Sequence, residues 1–416
     1  MTSKDKLYQH NLKILVIYSI LFKVMERLYK PYAVKFLERI GGSEFHISLY
    51  NALPGFLMFL TVFAGSVWLS RQACKKTALK RTIMSSRFII LLFAFIPMLP
   101  KSSQPMAFVV LSGLMSIPMA VYLSGYQSFI GDVFIEENRA SAIGKGNQYG
   151  AYAVMALTLV SGYVLSELPG NEAQRIMIYQ IFFLLSFIAG LTEIGVMNQF
   201  EVREHELKEI PDWKTSLKGM KKNNGFKLFM VCSLIFHFGW QMGWPLFSIY
   251  MIKILGANEM WLAIINMGSF ITMIIGYKMW PKYIKKLGNP AVTAICTVGM
   301  ALTPLCYIIS KNLVMMSTVA VVTGIFTSGT LTVLLSGLLE VLPEKERAVY
   351  MGFYNTFINL SLAIAPMIGH MFMVKRNIVF ALMLTALFRL FGGVAFILRS
   401  LYIKNQKKTS KNQDAA

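Results

Sequence analysis

The chain has 416 residues, of which 55% are hydrophobic and only 15% are charged, and its formal net charge is +21. The charged fraction is far below the quarter that is typical of soluble domains, so this composition excludes an ordinary soluble protein. Four cysteines and five histidines lack the spacing of a disulfide framework or a metal site. No metal and no cofactor are therefore expected.

Apolar stretches of about 20 residues, long enough to cross the hydrocarbon layer, recur along the whole chain. The six spans predicted in the first half are 12–37, 46–70, 82–99, 105–131, 142–167 and 176–199, and the six in the second half are 227–252, 258–280, 291–309, 313–341, 349–374 and 377–402. The sequence predicts an all-α, multi-pass membrane protein. Its predicted parts are a first bundle (1–199), a polar linker with a short surface helix (200–226), a second bundle (227–403) and a polar tail (404–416).

The first span carries a stripe of charged side chains. Lys23, Glu26, Arg27 and Lys30 follow each other at i, i+3, i+4 and i+7, so they share about a third of the helix circumference. Each such charge costs about 2.5–3.5 kcal/mol at the bilayer centre, so the stripe must face water, a partner or a solute. In one interpretation Arg27 and a lysine bind an anionic group while Glu26 titrates. In the other, the stripe is a buried ion-pair network that orders the helix.

The balance of charge in this stripe is positive, which favours an anionic solute. Other acids, such as Glu193 or Glu340, are alternative partners that would neutralise the surplus. Two arginines also lie within predicted spans. Arg87 is near a helix end and is expected to reach the lipid headgroups, whereas Arg389 is near the middle of its span and must turn inward to a carbonyl or an acid.

Four uncharged residues are candidates for contacts with a solute or a proton. They are Tyr126 in the fourth span and His237, Trp240 and Gln241, which recur at helical spacing in the seventh. The competing interpretation is packing between helices, which is the more frequent role of buried aromatic side chains. For His237 the competing interpretation is a hydrogen-bonded structural histidine.

A motif that follows the fourth span returns after the tenth. Asp132 and Arg139 in the first half correspond to Glu340 and Arg347 in the second, at an offset of 208 positions. Such a repeat is typical of transporters built from two related bundles. Ion pairs at these helix ends would close the cytoplasmic side in one state of a transport cycle and separate in the other. Alternatively, they are solvated charges that shape the loops, worth about 0–1 kcal/mol each.

Basic residues are concentrated in alternate loops. They follow the second span (Arg71, Lys75, Lys76, Lys80, Arg81) and the eighth (Lys278, Lys282, Lys285, Lys286), and they are frequent in the linker and in both tails. By the positive-inside rule, this asymmetry predicts that both termini and the linker are cytoplasmic. It also explains the net charge through topology and anionic lipid, without a nucleic-acid partner.

These features resemble the major facilitator superfamily over essentially the whole chain. The resemblance rests on twelve spans in two halves, the long central loop, the basic loops after spans two and eight, and the repeated acid-x6-Arg-x4-Gly pattern. A twelve-helix bacterial member of that family implies two pseudo-symmetric six-helix bundles in the cell membrane. It further implies secondary, proton-coupled transport of a small organic solute by a monomer, with the first helix lining the central cavity.

One loop departs from the family pattern. The loop after the second helix carries a Gly-x3-Asp-Arg-x-Gly-Arg type motif in the family, and Arg71 takes the arginine position here. Ser70 and Ala73 stand where the acid and the second glycine are expected. A gate that depends on a carboxylate in this loop is therefore not expected, although Arg71 stays a gate candidate.

Two other classes of function compete with transport. The same fold could serve as a transporter-like receptor or a lipid-handling protein that does not translocate a solute. An enzyme is not expected, because the sequence contains no nucleophile–base pair, metal spacing or phosphate-binding loop.

Overall fold

The computed structural model describes residues 3–70, 72, 75–134, 136–201, 213–343 and 347–413, and the regular structure in these ranges is helical throughout. The α-helices are α1 Ser3–Tyr29, α2 Ala33–Arg39, α3 Glu44–Ser70, α4 Lys75–Phe93, α5 Gln104–Val133, α6 Glu136–Glu167, α7 Glu172–Asn198, α8 Trp213–Lys222, α9 Asn224–Ile249, α10 Glu259–Leu287, α11 Asn289–Ile309, α12 Leu313–Val341, α13 Arg347–Lys375 and α14 Ile378–Gln413. Short 3-10 turns form at Lys30–Tyr32 and Ile96–Met98, and a π-helical turn forms at Tyr250–Ile254. The short helix expected in the polar linker is α8.

The chain divides into two compact units. Unit 1 comprises Met1–Ile210 together with Asn258–Ala263, and unit 2 comprises Pro211–Ala257 and Ile264–Ala416. In unit 1, α1 packs on α6 and α7, α3 packs on α5, and α4 packs on α5 and α7. In unit 2, α14 packs on α9 and α11, while α13 packs on α9 and α12 packs on α11.

Among the described residues, nine helical segments are long and apolar enough to cross a membrane. They are Glu44–Gly65, Gln104–Leu123, Ala142–Glu167, Glu172–Asn198, Glu259–Leu287, Asn289–Ile309, Leu313–Val341, Val349–Lys375 and Ile378–Gln406. Large apolar side chains such as Val160 and Leu398 are exposed on these helices. Lipid would cover these side chains, and the helical backbone satisfies its own polar groups, as a bilayer requires. The chain is a multi-pass membrane protein.

The first predicted span is not one continuous helix. The α1 helix ends at Tyr29, the 3-10 turn follows, and α2 resumes at Ala33. Pro31 lies in this turn. Proline has no backbone N–H to donate and disfavours helical geometry at the preceding residue, which here is Lys30. The end of the charged stripe therefore coincides with a break in the helix.

Asparagine side chains cap the starts of five described helices; at α10, Asn258 Oδ1 accepts a hydrogen bond from the Trp261 N–H at 3.0 Å. Asn171, Asn223, Asn312 and Asn377 each accept a hydrogen bond at 2.8–2.9 Å from the backbone N–H three residues later. Each bond satisfies one of the N–H groups that a helix start leaves without an intrahelical partner. These caps fix the beginnings of α7, α9, α10, α12 and α14.

Arg389 is fully buried in α14. Its guanidinium donates to the carbonyl oxygens of Gly239 (3.2 Å), Trp240 (3.0 Å) and Met300 (3.0 Å), and it lies 5.0 Å from the centre of the Phe247 ring. The expected inward turn of Arg389 is confirmed. Because backbone carbonyls carry partial negative charge, they stabilise the cation and join α14 to α9 and α11.

Candidate functional site

The charged stripe of α1 is partly accessible. Lys30 Nζ donates to Glu26 Oε1 at 2.8 Å, as the helical spacing predicted. The side chain of Glu26 is 20% exposed and that of Lys30 is 62% exposed, while Lys23 and Arg27 are half-buried. These side chains are thus neither sealed in the core nor fully in solvent, which is the environment that contact with a solute needs.

Two glycines bring α6 close to this stripe. A Cβ atom placed on Gly150 would lie 3.1 Å from Lys23 Cγ, and one placed on Gly146 would lie 2.7 Å from Ser19 Oγ. Small residues at helix contacts allow close approach in membrane proteins. The stem of Lys23 therefore packs on α6.

Three tyrosines form a stack beside the stripe. The Tyr126 ring lies 5.5 Å from the ring of Tyr18 and 5.4 Å from the ring of Tyr122. The hydroxyls of Tyr18 and Tyr122 are in direct hydrogen-bond contact, and both of these residues are buried. Tyr126 is half-buried, so it lies at the edge of the stack.

The expectation that Arg87 reaches the headgroups is wrong. Arg87 is 1% exposed, and it donates to Glu193 Oε2 of α7 from Nε at 3.2 Å and from Nη2 at 2.7 Å. Gly190 makes room for it, because a Cβ atom there would lie 2.5 Å from Arg87 Cδ. A charge in a bilayer is costly unless it is paired, and the acid one turn from Gly190 supplies the pair. Glu193 is thus a direct partner of Arg87 rather than of the stripe.

In unit 2, three candidates share one surface of α9. His237 Nδ1 bonds to the carbonyl oxygen of Ser233 at 2.8 Å, and its ring lies 5.6 Å from that of Trp240. Gln241 Nε2 donates to the carbonyl oxygen of Ile358 at 3.3 Å. The hydrogen bond of His237 agrees with the structural role that competed with a proton site. These contacts leave Trp240, which is half-buried, as the residue of this group best placed to stack on a solute.

The gate candidates are only partly described. Glu340 is exposed in the last turn of α12. Asp132 lies near the end of α5, Arg139 lies in the first turn of α6, and Arg347 begins α13. The side chains of these three residues lie outside the described part, as does Arg71 altogether. Their pairing stays a prediction.

Sequence reasoning missed a second ionic cluster, centred on Arg39 at the end of α2. Arg39 Nε and Nη2 donate to the two carboxylate oxygens of Glu259 at 2.6 and 2.8 Å. Its Nη1 donates to Glu172 at 2.8 Å, and Arg175 also pairs with Glu172. Tyr179 donates to Glu259 at 2.8 Å. We call these five residues the Arg39 cluster, and all of them belong to unit 1.

The Arg39 cluster fastens the segment 258–263 within unit 1. Burial disfavours the charge of Arg39, but its hydrogen bonds to Glu259 and the negative charge of that residue outweigh burial and raise the pKa of Arg39. Asn258 Nδ2 adds a bond to Ser166 Oγ at 2.8 Å. The guanidinium of Arg39 therefore keeps its charge. The segment 258–263 is held by the ion pair of Glu259 with Arg39 and by the uncharged hydrogen bond of Asn258 to Ser166.

Neutralising the buried acid of this cluster should destabilise the protein. For Glu259→Gln we expect the free energy of unfolding to fall by about 1.5–3 kcal/mol, the range for hydrogen bonds to a charged group. The matched control is Glu172→Gln, because Glu172 is 64% exposed and surface ion pairs contribute about 0–1 kcal/mol. Equal losses in the two variants, measured by thermal unfolding, would contradict a special role for the buried acid.

The family model of the Major Facilitator Superfamily matches residues 229–416. No curated protein gives a significant match to the sequence. The fold is shared with solved transporters at 10–12% identity. The nucleoside transporter NupG aligns with a TM-score of 0.70, 10% identity and coverage of 94% of this chain and 99% of its own.

Two further structures have the same fold. One is a bacterial homologue of the human lysosomal transporter Spinster, in an inward-facing and unoccupied conformation, with a TM-score of 0.69, 11% identity and coverage of 95% of this chain and 97% of its own. The other is the E. coli fucose:proton symporter FucP, with a TM-score of 0.62, 12% identity and coverage of 93% and 98%. The second half of the chain thus matches the family model that the sequence resemblance pointed to, and nearly the whole chain has the fold of these solved transporters.

Proposed function

We propose that this protein is a secondary active transporter that moves a small organic solute across the cell membrane by alternating access, coupled to a proton gradient. The observation that carries this proposal is the half-buried stripe of charged side chains on α1, within a fold shared with solved transporters. A lipid-facing helix would not retain four such charges without a function or partners to offset their cost. The stripe supplies both a cationic surface for a solute and a titratable acid.

The proposed protein has twelve spans in two bundles and acts as a monomer. Nine of the twelve proposed spans are the apolar segments given above. The other three are α1 together with α2 as one span, α4, and α9. Both termini are proposed to be cytoplasmic, because the basic loops follow α3 and α10. The Arg39 cluster then lies at the opposite face of the membrane from the repeated acid–arginine motif, and that motif is the proposed cytoplasmic gate.

An anionic solute is the proposed class. Lys23, Arg27 and Lys30 outnumber the one acid of the stripe, and Glu193 binds Arg87 rather than offsetting this surplus. Arginine can hold a carboxylate or phosphate through two parallel hydrogen bonds. The solutes named for two relatives, nucleosides and fucose, are the neutral alternatives for testing.

Uptake into vesicles tests the proposal. Purified protein in lipid vesicles would be given radiolabelled organic acids, nucleosides and fucose, with the outside acidic. We expect one class to accumulate and a protonophore to abolish the accumulation. Equal accumulation with and without the proton gradient would contradict proton coupling. Binding without uptake would instead favour the receptor-like alternative.

Changes at Arg27 should separate solute binding from structure. We expect Arg27→Ala to weaken binding of an anionic solute by about 10- to 150-fold, the equivalent of 1.5–3 kcal/mol for a charge-assisted hydrogen bond. Arg27→Lys should weaken the binding less, because lysine keeps the charge but cannot make two parallel hydrogen bonds from one planar group. Binding would be measured by scintillation proximity with the transported solute. If both variants lose thermal stability in step with binding, the stripe is a structural network.

A further inference from the structure

In the ion pair of Arg87 and Glu193, the guanidinium bonds to only one of the two carboxylate oxygens. Both hydrogen bonds from Arg87 go to Oε2, whereas Oε1 of Glu193 is buried and accepts no hydrogen bond of good geometry from any residue that the structure describes. An arginine that served only to neutralise a carboxylate would commonly bond to both oxygens. A buried carboxylate oxygen without a donor of good geometry destabilises the charged form. A proton on Oε1 would turn that acceptor into a donor.

The guanidinium also has contacts that do not depend on the carboxylate charge. Arg87 Nη1 donates to Ser86 Oγ at 3.2 Å and approaches Met119 Sδ at 3.7 Å. The guanidinium carbon lies 5.7 Å from the centre of the Phe22 ring, within the range of a cation–π contact. These contacts would hold Arg87 in place while Glu193 is neutral.

The tyrosine stack offers a path for the proton. Only one of the two hydroxyl hydrogens of Tyr18 and Tyr122 can lie between their oxygens, so the other is available for a further partner. The Tyr18 hydroxyl is close enough to Glu193 to interact with its carboxylate. The titratable and charged side chains that act on Glu193 come from α1, α4 and α5: Tyr18, Glu26, Arg87, Tyr122 and Tyr126.

We propose that Glu193 is a buried proton-binding site, which alternates between a carboxylate paired with Arg87 and a carboxylic acid whose hydroxyl donates to Tyr18. In the protonation step, a hydronium ion gives a proton to the Tyr122 oxygen and leaves as water. The original Tyr122 hydroxyl proton moves to the Tyr18 oxygen, and the original Tyr18 hydroxyl proton moves to Oε1 of Glu193, so each O–H bond that breaks is replaced by one that forms. Release reverses the step. The role of this site in transport rests on the proposed function, in which Glu26 is the more accessible acid.

Infrared spectroscopy tests proton binding without any solute. The full chain in lipid vesicles would be titrated from neutral to acid pH while the carbonyl stretch of a protonated carboxylic acid is followed. Because the chain has 20 acidic residues, the signal of Glu193 is isolated by subtracting the spectrum of Glu193→Gln from that of the wild-type protein. We expect this difference to contain one carboxylic-acid band, the Glu193 band, which grows as the pH falls and changes frequency in Tyr18→Phe, which loses the hydroxyl partner. Glu38→Gln is the matched control, because Glu38 is paired with Lys35 on α2, and it should keep the Glu193 band.

Two outcomes overturn the proposal: a difference spectrum without the Glu193 band over the whole pH range in which the protein stays folded, or loss of the same band in Glu38→Gln. If Glu193→Gln does not fold, the double variant Arg87→Met with Glu193→Gln replaces it, because it leaves no unpaired charge. In transport, this double variant should lose accumulation driven by the pH gradient but keep solute exchange at equal pH. A wild-type protein that shows the band but transports none of the solutes would contradict the proposed function and leave the proton site intact.

Discussion

Replacing Glu193 by leucine should lower the free energy of unfolding by about 3–5 kcal/mol, among the largest effects expected for a single change in this protein. Leucine removes both carboxylate oxygens, so the guanidinium of Arg87 stays charged and loses both of its hydrogen bonds to Glu193. Glutamine at the same position keeps an oxygen acceptor and should cost less. The measurement is equilibrium unfolding by detergent, followed by circular dichroism.

The control is the double variant Arg87→Met with Glu193→Leu. Replacing a buried ion pair by apolar side chains of similar size is often neutral, so most of the lost stability should return. The difference between the double variant and the two single variants gives the coupling energy of the pair. If Glu193→Leu unfolds within about 1 kcal/mol of the wild-type protein, the pair does not hold α4 to α7.

Glu26→Gln should abolish accumulation driven by a proton gradient while the protein still inserts and purifies. Glutamine has the shape of glutamate but cannot release a proton at these pH values. Without coupling, a carrier can only equalise the solute concentrations, so the accumulation ratio should fall to about one. The measurement is uptake into proteoliposomes with and without an imposed pH gradient.

The matched control for Glu26 is Glu38→Gln. Glu38 forms an ion pair with Lys35 at 2.9 Å. The control therefore makes the same chemical change in a lysine–glutamate pair on the nearby helix α2. That variant should accumulate solute like the wild-type protein. Normal accumulation by Glu26→Gln would remove Glu26 from the coupling mechanism and leave Glu193 as the candidate.

The helices could be predicted because their signal is local. A run of apolar residues is visible wherever it occurs, and each predicted span coincides with a long helix over most of its length. The first covers two helices joined by a turn, and the third and seventh run past the ends of α4 and α9 into a 3-10 turn and a π-helical turn. The bond between Glu26 and Lys30 was equally predictable, because both residues lie on one helix a single turn apart. The break at Pro31 could have been anticipated from the proline itself.

Partners that are distant in the chain could not be predicted in this way. Arg87 and Glu193 are 106 positions apart, and Arg39 and Glu259 are 220 apart. Nothing in the local pattern around Arg87 distinguishes a cation that reaches the headgroups from one that turns inward. For Arg389 the inward direction followed from its central position. The hydrogen-bond partners of Arg389 could not be predicted, because they are backbone carbonyl groups and every residue has one.

The separation of Arg87 from its acid also sets an order of assembly during synthesis. At about 5–20 residues per second, the 106 positions between Arg87 and Glu193 correspond to a delay of roughly 5–20 s. Throughout that delay, α4 carries a cation without its final partner, in a helix that is not among the nine most apolar segments of the described chain. Arg389 is in the opposite situation, since α9 and α11 are made before α14. The last helix can therefore dock on emergence, whereas the ion pair that joins α4 to α7 cannot form until α7 has been made.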